Sequence, residues 1–140
     1  QLRLMEIRQQ QGSTTLPLRL QAYERLSLFC ERISIPNLML RLRESGMTVR
    51  DLRISMLLAI QQEYEHNITQ QVYVSDQLWQ IIKMARDNTL QAIDGVASGL
   101  DDSGDAKVYA RALIDYINEQ EGDPLATALL AIKKGTATIL

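Results

Sequence analysis

Apolar residues recur every three or four positions along nearly the whole chain, which is the spacing of one face of an α-helix. Leu18, Ala22, Leu26, Phe29 and Ile33 show this spacing within one segment, and similar series follow in later segments. No pair of alternating segments joined by a tight turn interrupts the pattern, and no repeat of fixed period is present. The sequence therefore predicts an all-α protein, a compact bundle of five to six helices.

Glycine, proline and capping residues mark where we expect helices to begin and end. A first helix starts at Leu2 and stops at Gly12. Thr15 is a candidate N-cap for a second helix, because Pro17 then falls in the first turn, where its missing N–H is not needed. Pro36 ends this second helix and begins a short one. The sequence thus predicts a break in the helical structure between Gly12 and Thr15.

Four helices are predicted in the rest of the chain, of which one begins at Ser75 and ends near Gly99 and another begins at Ala106 and is closed by Gly122. Thr48 begins a helix that continues to Thr69, and because this helix is apolar on nearly all sides we place it at the centre of the bundle. Its apolar residues outside the main stripe are Ile54, Leu57, Leu58 and Ala59. Residues 70–74 are too few and too alternating for a helix, so we expect an extended connector there. The last helix ends just before Gly135, a residue type that often follows a helix C-terminus.

Composition excludes two kinds of chemistry. The 140-residue chain has a single cysteine, Cys30, and a single histidine, His66, so it offers neither an internal disulfide nor a multi-histidine metal site. Glu63 and His66 have the Glu-x-x-His spacing of a di-iron ligand pair, but that site needs the pattern twice. The acidic residues within 101–105 lack the glycine and the closing glutamate of a calcium loop. We therefore predict no metal, no cofactor and no enzymatic activity, with Cys30 packed in the core.

Charge is distributed unevenly along the chain. Residues 1–53 carry nine arginines against five acidic residues, whereas residues 54–140 carry six basic and twelve acidic residues. A basic segment of this kind faces an anionic membrane surface or nucleic acid, or it pairs with the acidic part of the same fold. Both alternatives stay open at this point. The candidate contacts with an anionic surface are Arg3, Arg8 and Arg19.

A helix-turn-helix pattern is present at residues 36–60, where a turn at Gly46 separates two helical segments. Two arginines lie near the start of the second helix, where base or phosphate contacts are made in that motif. However, two helices joined at a glycine are common in any bundle. The second helix is also so apolar that binding in a DNA groove would expose its core face. Nucleic-acid binding is therefore an alternative hypothesis, and its candidate contacts are Arg41, Arg43, Arg50 and Arg53.

The richest run of polar side chains extends from Gln61 to Gln80. Amide groups beside Tyr and Trp can form hydrogen bonds and also present flat apolar area, which protein interfaces favour. The alternative interpretation is a helix end and connector held by side-chain-to-backbone hydrogen bonds, with Trp79 packed over them. The candidate interaction surface consists of Glu63, Tyr64, His66, Asn67, Gln71, Tyr73 and Trp79.

Two stretches carry a resemblance to a known family, TLPLRLQAYERLSLFCERI at residues 15–33 and EYEHNITQQVYVSDQLWQIIK at residues 63–83. Over residues 13–88 the chain resembles an uncharacterised family of small bacterial proteins. The resemblance implies one N-terminal transmembrane helix, absent here, then a basic stretch and a helical domain on the cytoplasmic side of the inner membrane. It also implies that residues 1–12 form a juxtamembrane helix and that residues 13–140 form one helical domain. We expect this fragment to be soluble, because its longest uncharged apolar stretch, residues 54–60, is far shorter than the roughly 20 residues that span a bilayer.

The function we predict is a non-catalytic, membrane-tethered interaction or scaffolding domain in the cytoplasm. Its expected partner is an unknown protein or a second copy of the chain, with the arginine-rich segment facing anionic headgroups. A nucleic-acid-binding domain that uses residues 36–60 is the alternative. An enzyme with a site around His66 is the third hypothesis, and it requires Glu63, Glu65 and His66 to converge in a cleft.

Overall fold

A computed structural model of the protein describes the backbone of residues 2–140 and the side chains of residues 15–140. Within residues 2–140 the chain forms six α-helices and one 3₁₀-helix, and no strand. The elements are α1 (Leu2–Arg32), α2 (Ile35–Leu42), α3 (Val49–Asn67), the 3₁₀-helix (Ile68–Tyr73), α4 (Asp76–Ser98), α5 (Ala106–Glu119) and α6 (Pro124–Ile139). The predicted all-α bundle of five to six helices is confirmed.

The core is organised around α3, which packs against α1, α2, α4, α5 and the 3₁₀-helix. Leu52, Met56 and Ile60 form its buried stripe, since each is at most 1% exposed. Helix α6 packs against α1 and α4, two of the helices that surround α3. The central position predicted for α3 is therefore confirmed.

Helix α3 is apolar on nearly all sides, but not all of these sides are buried. Ile54 is 39% exposed and Leu58 is 58% exposed. The helices packed against α3 cover the stripe with Leu52 and its flanks, but they leave the face with Leu58 open to solvent. An apolar residue on a central helix is thus not buried unless a neighbouring element lies over that face.

The predicted break between Gly12 and Thr15 is also wrong, because α1 is one helix from Leu2 to Arg32 with Pro17 inside it. A glycine in a helix costs only about 1 kcal/mol relative to alanine, and tertiary context often overrides such a preference. From Ala22 onward α1 is anchored by buried side chains. Extending an existing helix is far easier than starting a new one, because the nucleation step is already complete.

Two smaller boundaries differ from the sequence prediction. The expected extended connector at residues 70–74 is mostly the end of the 3₁₀-helix, in which Gln70 is buried at 8% exposure. Helix α6 continues past Gly135 to Ile139 instead of ending there. The glycine is needed inside the helix, because a Cβ at this position would lie 2.9 Å from Cε1 of Tyr23 on α1.

Helices α1 and α6 run antiparallel. Gly135 lies against Tyr23, while Leu125, near the start of α6, lines a groove together with Ser34, just beyond the end of α1. From Tyr23 back to Leu2, α1 continues for about 31 Å at about 1.5 Å per residue. Helix α6 ends only about 6 Å after Gly135 on the same scale. The N-terminal part of α1 therefore extends well beyond the end of α6.

Candidate functional site

A groove opens between α1 and the C-terminal part of α3, with a volume of about 460 Å³. We call it the α1–α3 groove. Three of the seven predicted interaction residues, Glu63, His66 and Asn67, line it. Its full lining consists of Arg25, Leu28, Phe29, Arg32, Gln62, Glu63, His66 and Asn67.

The Glu63 carboxylate in this groove is held by arginines from two other helices. Arg32 of α1 donates from Nε to Oε1 at 2.5 Å, and Nη1 of Arg41 on α2 lies 3.9 Å from the same oxygen. Arg41 also donates to the side chain of Asn37 and to the backbone carbonyl of Arg32. The Glu63 side chain is only 18% exposed. It therefore links α1, α2 and α3, and it is not a free general acid or base.

The end of α3 is closed by three hydrogen bonds to backbone carbonyls. Arg25 donates from Nη2 to the carbonyl of His66 at 2.8 Å, and the Asn67 amide donates to the carbonyl of Glu63 at 2.8 Å. Nδ1 of His66 lies 3.2 Å from the carbonyl of Gln62. Since a carbonyl only accepts, this contact assigns the hydrogen to Nδ1 and leaves Nε2 without a proton in the neutral ring. Of the three acceptors, only the carbonyl of His66 is among the last four that a helix end leaves open, whereas the other two bonds are side-chain bonds within the last turns of α3.

Glu65 does not join the other ionisable groups of the groove. It accepts a hydrogen bond from Gln61 at 2.9 Å on the exposed side of α3 and does not line the groove. The convergence of Glu63, Glu65 and His66 that the enzyme hypothesis requires is therefore missing. The arrangement offers Arg25 and His66 as polar contacts for a ligand, without a paired acid and base.

An aromatic cluster supports the end of α3 from inside. The Tyr64 ring stacks on Trp79 with centroids 5.8 Å apart, and Phe29 lies 6.4 Å from Tyr64. The guanidinium of Arg86 lies 4.0 Å from the centre of the Tyr64 ring. Trp79 is only 6% exposed. Trp79 and the buried Asn67 therefore offer little side-chain area to a partner, although both belong to the predicted surface.

The outer face of the 3₁₀-helix is the exposed part of this region. Val72 is 75% exposed and Ile68 is 37% exposed, whereas the Gln71 side chain donates to the carbonyl of Ile68 at 2.9 Å. We call His66, Ile68, Gln71, Val72 and Tyr73 the 3₁₀ surface. His66, Gln71 and Tyr73 of this surface were predicted from the sequence, whereas the two aliphatic residues were not. Their spacing of four was the available signal, and the expectation of an extended connector concealed it.

The three arginines proposed to face an anionic surface are described only in part. The side chains of Arg3 and Arg8 lie outside the described residues. Arg19 is half-buried on α1.

The start of α3, where the helix-turn-helix hypothesis places nucleic acid, is occupied by the protein itself. The N–H groups of Val49 and Arg50 donate to the carbonyls of Gly104 and Asp102 at 2.9 and 3.0 Å. The N–H of Asp51 donates to Oγ1 of Thr48, in a complete capping box. These helix N-terminal groups are therefore not available to a phosphate.

The candidate arginines of this segment differ in their environment. Arg53 donates to Asp94 at 3.3 Å, and Arg41 makes the contacts described above. Arg43 and Arg50 are exposed. Two of the four arginines therefore have partners within the fold.

Residues 1–139 match DUF7935, a family of unknown function. The chain belongs to this family. The match covers more of the chain than the resemblance at residues 13–88 suggested. Neither the search of curated proteins nor that of solved structures returned a match.

Two further properties of this DUF7935 chain concern membranes and metals. Among the described residues, no helix combines the length and hydropathy needed to cross a bilayer. Within the same residues, no three or more His, Cys, Asp or Glu side chains are grouped to hold a metal ion. Cys30 is 1% exposed, and its burial, with a smaller contribution from Glu31, raises the pKa of the thiol to about 12. Such a thiol is a poor nucleophile at neutral pH.

Proposed function

We propose that this DUF7935 domain is a non-catalytic interaction domain that binds a protein partner through the 3₁₀ surface and the adjoining α1–α3 groove. The observation that carries the proposal is the exposure of Val72 and Ile68 directly after the aromatic-supported end of α3. Exposed aliphatic side chains on a firm base, surrounded by polar groups, are typical of the centre of a protein interface.

The charge of the groove indicates the kind of partner. Arg25 and Arg32 line it against the single carboxylate of Glu63. Arg25 uses one of its five N–H donors on the carbonyl of His66, and among the described side chains no other group takes up its remaining donors. Leu28, at 58% exposure, adds apolar area beside these donors. The partner segment that fits carries an apolar residue next to a carboxylate.

A site-specific crosslinking experiment tests this proposal. A photoreactive residue replaces Val72, 75% exposed, in one variant and the similarly exposed Met84 of α4, 63% exposed, in a matched control. We expect a partner to be crosslinked in cells at position 72 and not at position 84, with the crosslink lost when Ile68→Glu is added. Equal crosslinking at both positions, or none at 72, would contradict the proposal. If the crosslinked protein is a second copy, the partner is the domain itself.

The membrane-tethered location is a finer proposal that rests on α1. This helix extends well past the end of α6, and the resemblance stated above implies a preceding membrane span. Basic residues next to an anionic membrane contribute about 1 kcal/mol each. We therefore propose that the N-terminal part of α1 is directed toward the membrane and that the 3₁₀ surface faces the cytoplasm.

Vesicle co-sedimentation tests the membrane proposal separately. The domain should bind vesicles containing anionic lipid at low salt, dissociate at high salt and ignore neutral vesicles. Replacing Arg3 and Arg8 with Gln should reduce binding, whereas replacing Arg43 and Arg111 should not. Absence of binding at low salt would remove the lipid part and leave the protein-binding part intact.

A further inference from the structure

A second groove, with a volume of about 380 Å³, lies between the start of α2, the middle of α4 and the turn that joins α5 to α6. It shares no lining residue with the α1–α3 groove. Ile35, Pro36, Ile117 and Leu125 supply its apolar lining. We call it the α4–α5 groove. Its size is in the range of sites that bind a few side chains of a peptide.

Glu121 and Asp123 line this groove, and Glu119 directly precedes the lining residue Gln120. Residues 112–132 contain four acidic residues and neither Lys nor Arg. Asp123 has a structural role, because it accepts a hydrogen bond from the N–H of Leu125 at 2.9 Å as the N-cap of α6. Within residues 15–140, no ion pair involves Glu119 or Glu121. The charge of these two carboxylates is therefore uncompensated.

The position of these two carboxylates conflicts with the electrostatics of α5. The C-terminus of a helix carries partial negative charge and favours cations, so a carboxylate there is destabilising. Glu119 is the last residue of α5 and Glu121 follows two positions later, while no basic residue lies in the last turn. A local rule broken without compensation inside the fold indicates a functional position.

The side chains around the groove leave hydrogen-bonding groups for a ligand. Asn88, Gln91 and Gln120 line it, and none of them forms a side-chain hydrogen bond among the described residues. Tyr116 is 37% exposed on the same wall, and its ring offers a face to a cation. The groove therefore combines an apolar floor, free amides, an aromatic ring and excess negative charge.

We propose that the α4–α5 groove binds a basic peptide segment of a protein partner. An arginine or lysine of that segment lies against Glu119, Glu121 and the carbonyl end of α5, and an adjacent apolar side chain covers Ile117. The negative charge repels phosphate, so nucleic acid and anionic lipid are not suitable occupants. The apolar floor distinguishes the site from one for a small inorganic cation.

Titration of the ¹⁵N-labelled domain with a short peptide of alternating arginine and leucine tests the proposal. We expect chemical-shift changes at Ile35, Gln91 and Gly122, and binding that weakens with salt. The double variant E119Q/E121Q should bind about five-fold more weakly, the loss expected for two partly exposed charge contacts. Tyr116→Ala, which removes the ring and, within residues 15–140, no side-chain hydrogen bond, should also weaken binding.

Matched controls separate this site from general attraction to an acidic protein. The variant E24Q/D102N removes the same charge from exposed positions outside the groove and should bind like the wild type. A peptide of alternating glutamate and leucine should not bind. Equal weakening in both double variants, or shift changes spread over the surface, would overturn the proposal. It would also be overturned if argininamide alone shifted the same signals as strongly as the peptide.

Discussion

The two ends of α3 show how differently one helix can be terminated within the same small domain. At its N-terminal end the capping box of Thr48 and Asp51 and the carbonyls of Asp102 and Gly104 occupy the free N–H groups. At its C-terminal end the chain continues into a 3₁₀-helix that leaves Val72 exposed. The first end is fully used by the fold, whereas the second presents groups that the fold does not use.

This difference locates function more clearly than residue type does. Arginines near the start of α3 fit a nucleic-acid motif, yet Arg53 pairs with Asp94 and the helix N-terminus is closed. The polar run after Gln61 divides instead into an inner part that packs on Trp79 and an outer part that faces solvent. A surface can bind a partner only where its exposed groups are not already used by hydrogen bonds and packing within the fold.

The comparison between the two ends of α3 is tested most strongly by removing the aromatic support at its C-terminal end, which should have the largest effect on stability. Trp79→Ala removes the ring that stacks on Tyr64, so the free energy of unfolding should fall by about 3–5 kcal/mol. Val72→Ala, on the outer face of the same region, should change it by less than about 0.5 kcal/mol. Urea denaturation measures both values. If the two variants were equally destabilised, the division into inner and outer parts would be wrong.

A smaller effect is expected from the N-terminal cap. Thr48→Ala removes the acceptor for the N–H of Asp51 and should lower the free energy of unfolding by about 1 kcal/mol. Thr69→Ala is the matched substitution just after the C-terminal end of α3, where the exposed side chain forms no hydrogen bond among the described residues. It should leave the free energy of unfolding nearly unchanged. If Thr69→Ala lowered the free energy of unfolding more than Thr48→Ala in the same denaturation series, the fold would depend more on the C-terminal end of α3 than on its N-terminal cap.

The stability at alkaline pH depends on two buried weak acids, one near each end of α3. Burial raises the pKa of Cys30, beside the C-terminal end, to about 12, and it also raises the pKa of Tyr109, beside the N-terminal end, with a smaller contribution from Asp94. Both groups must stay protonated in the fold. Their contribution to the free energy of unfolding is complete below their ordinary pKa values, near 9 and 10. It is lost as the pH rises toward the raised pKa values.

The free energy of unfolding should therefore fall by about 1 kcal/mol between about pH 8 and pH 10, mainly through Cys30. Cys30→Ala should flatten that part of the pH dependence. Tyr109→Phe should flatten the part that begins about one pH unit higher, and it also removes the hydrogen bond from Oη to the carbonyl of Ile93 at 2.6 Å. A wild-type stability that stayed constant up to pH 10 would show that the thiol is less buried than described.

The smallest expected effect concerns the arginine that closes the C-terminal end. Arg25→Ala removes the hydrogen bond to the carbonyl of His66, and because this contact is exposed the loss should be about 0.5 kcal/mol. Arg43→Ala, at the exposed residue that follows α2, should have no measurable effect. Backbone chemical shifts should change at His66 and Ile68 only in the first variant. Identical spectra for both variants would show that Arg25 is not a cap.

The sequence predicted more of the fold than of the site. Helical periodicity and the cap at Thr48 were correct, because each follows from interactions within a few residues. The central position of α3 was also correct, and it was predicted from the apolar composition of that helix. The partners of Glu63 were not predictable, since Arg32 and Arg41 lie on other helices. The exposure of Ile68 and Leu58 was missed for the same reason, because spacing identifies an apolar face but not whether another element covers it.

Local pattern alone determined that this chain is helical, where most of its helices begin, and that it has too few imidazole and thiol groups for the commonest kinds of reactive centre. Tertiary structure decided which apolar faces are covered, which charges are paired, and why Gly135 lies inside α6 against Tyr23 instead of ending that helix. Hydrogen bonds and side-chain periodicity within a helix act over one or two turns. Burial and ion pairing depend on residues that are distant in sequence and become neighbours only when the helices pack.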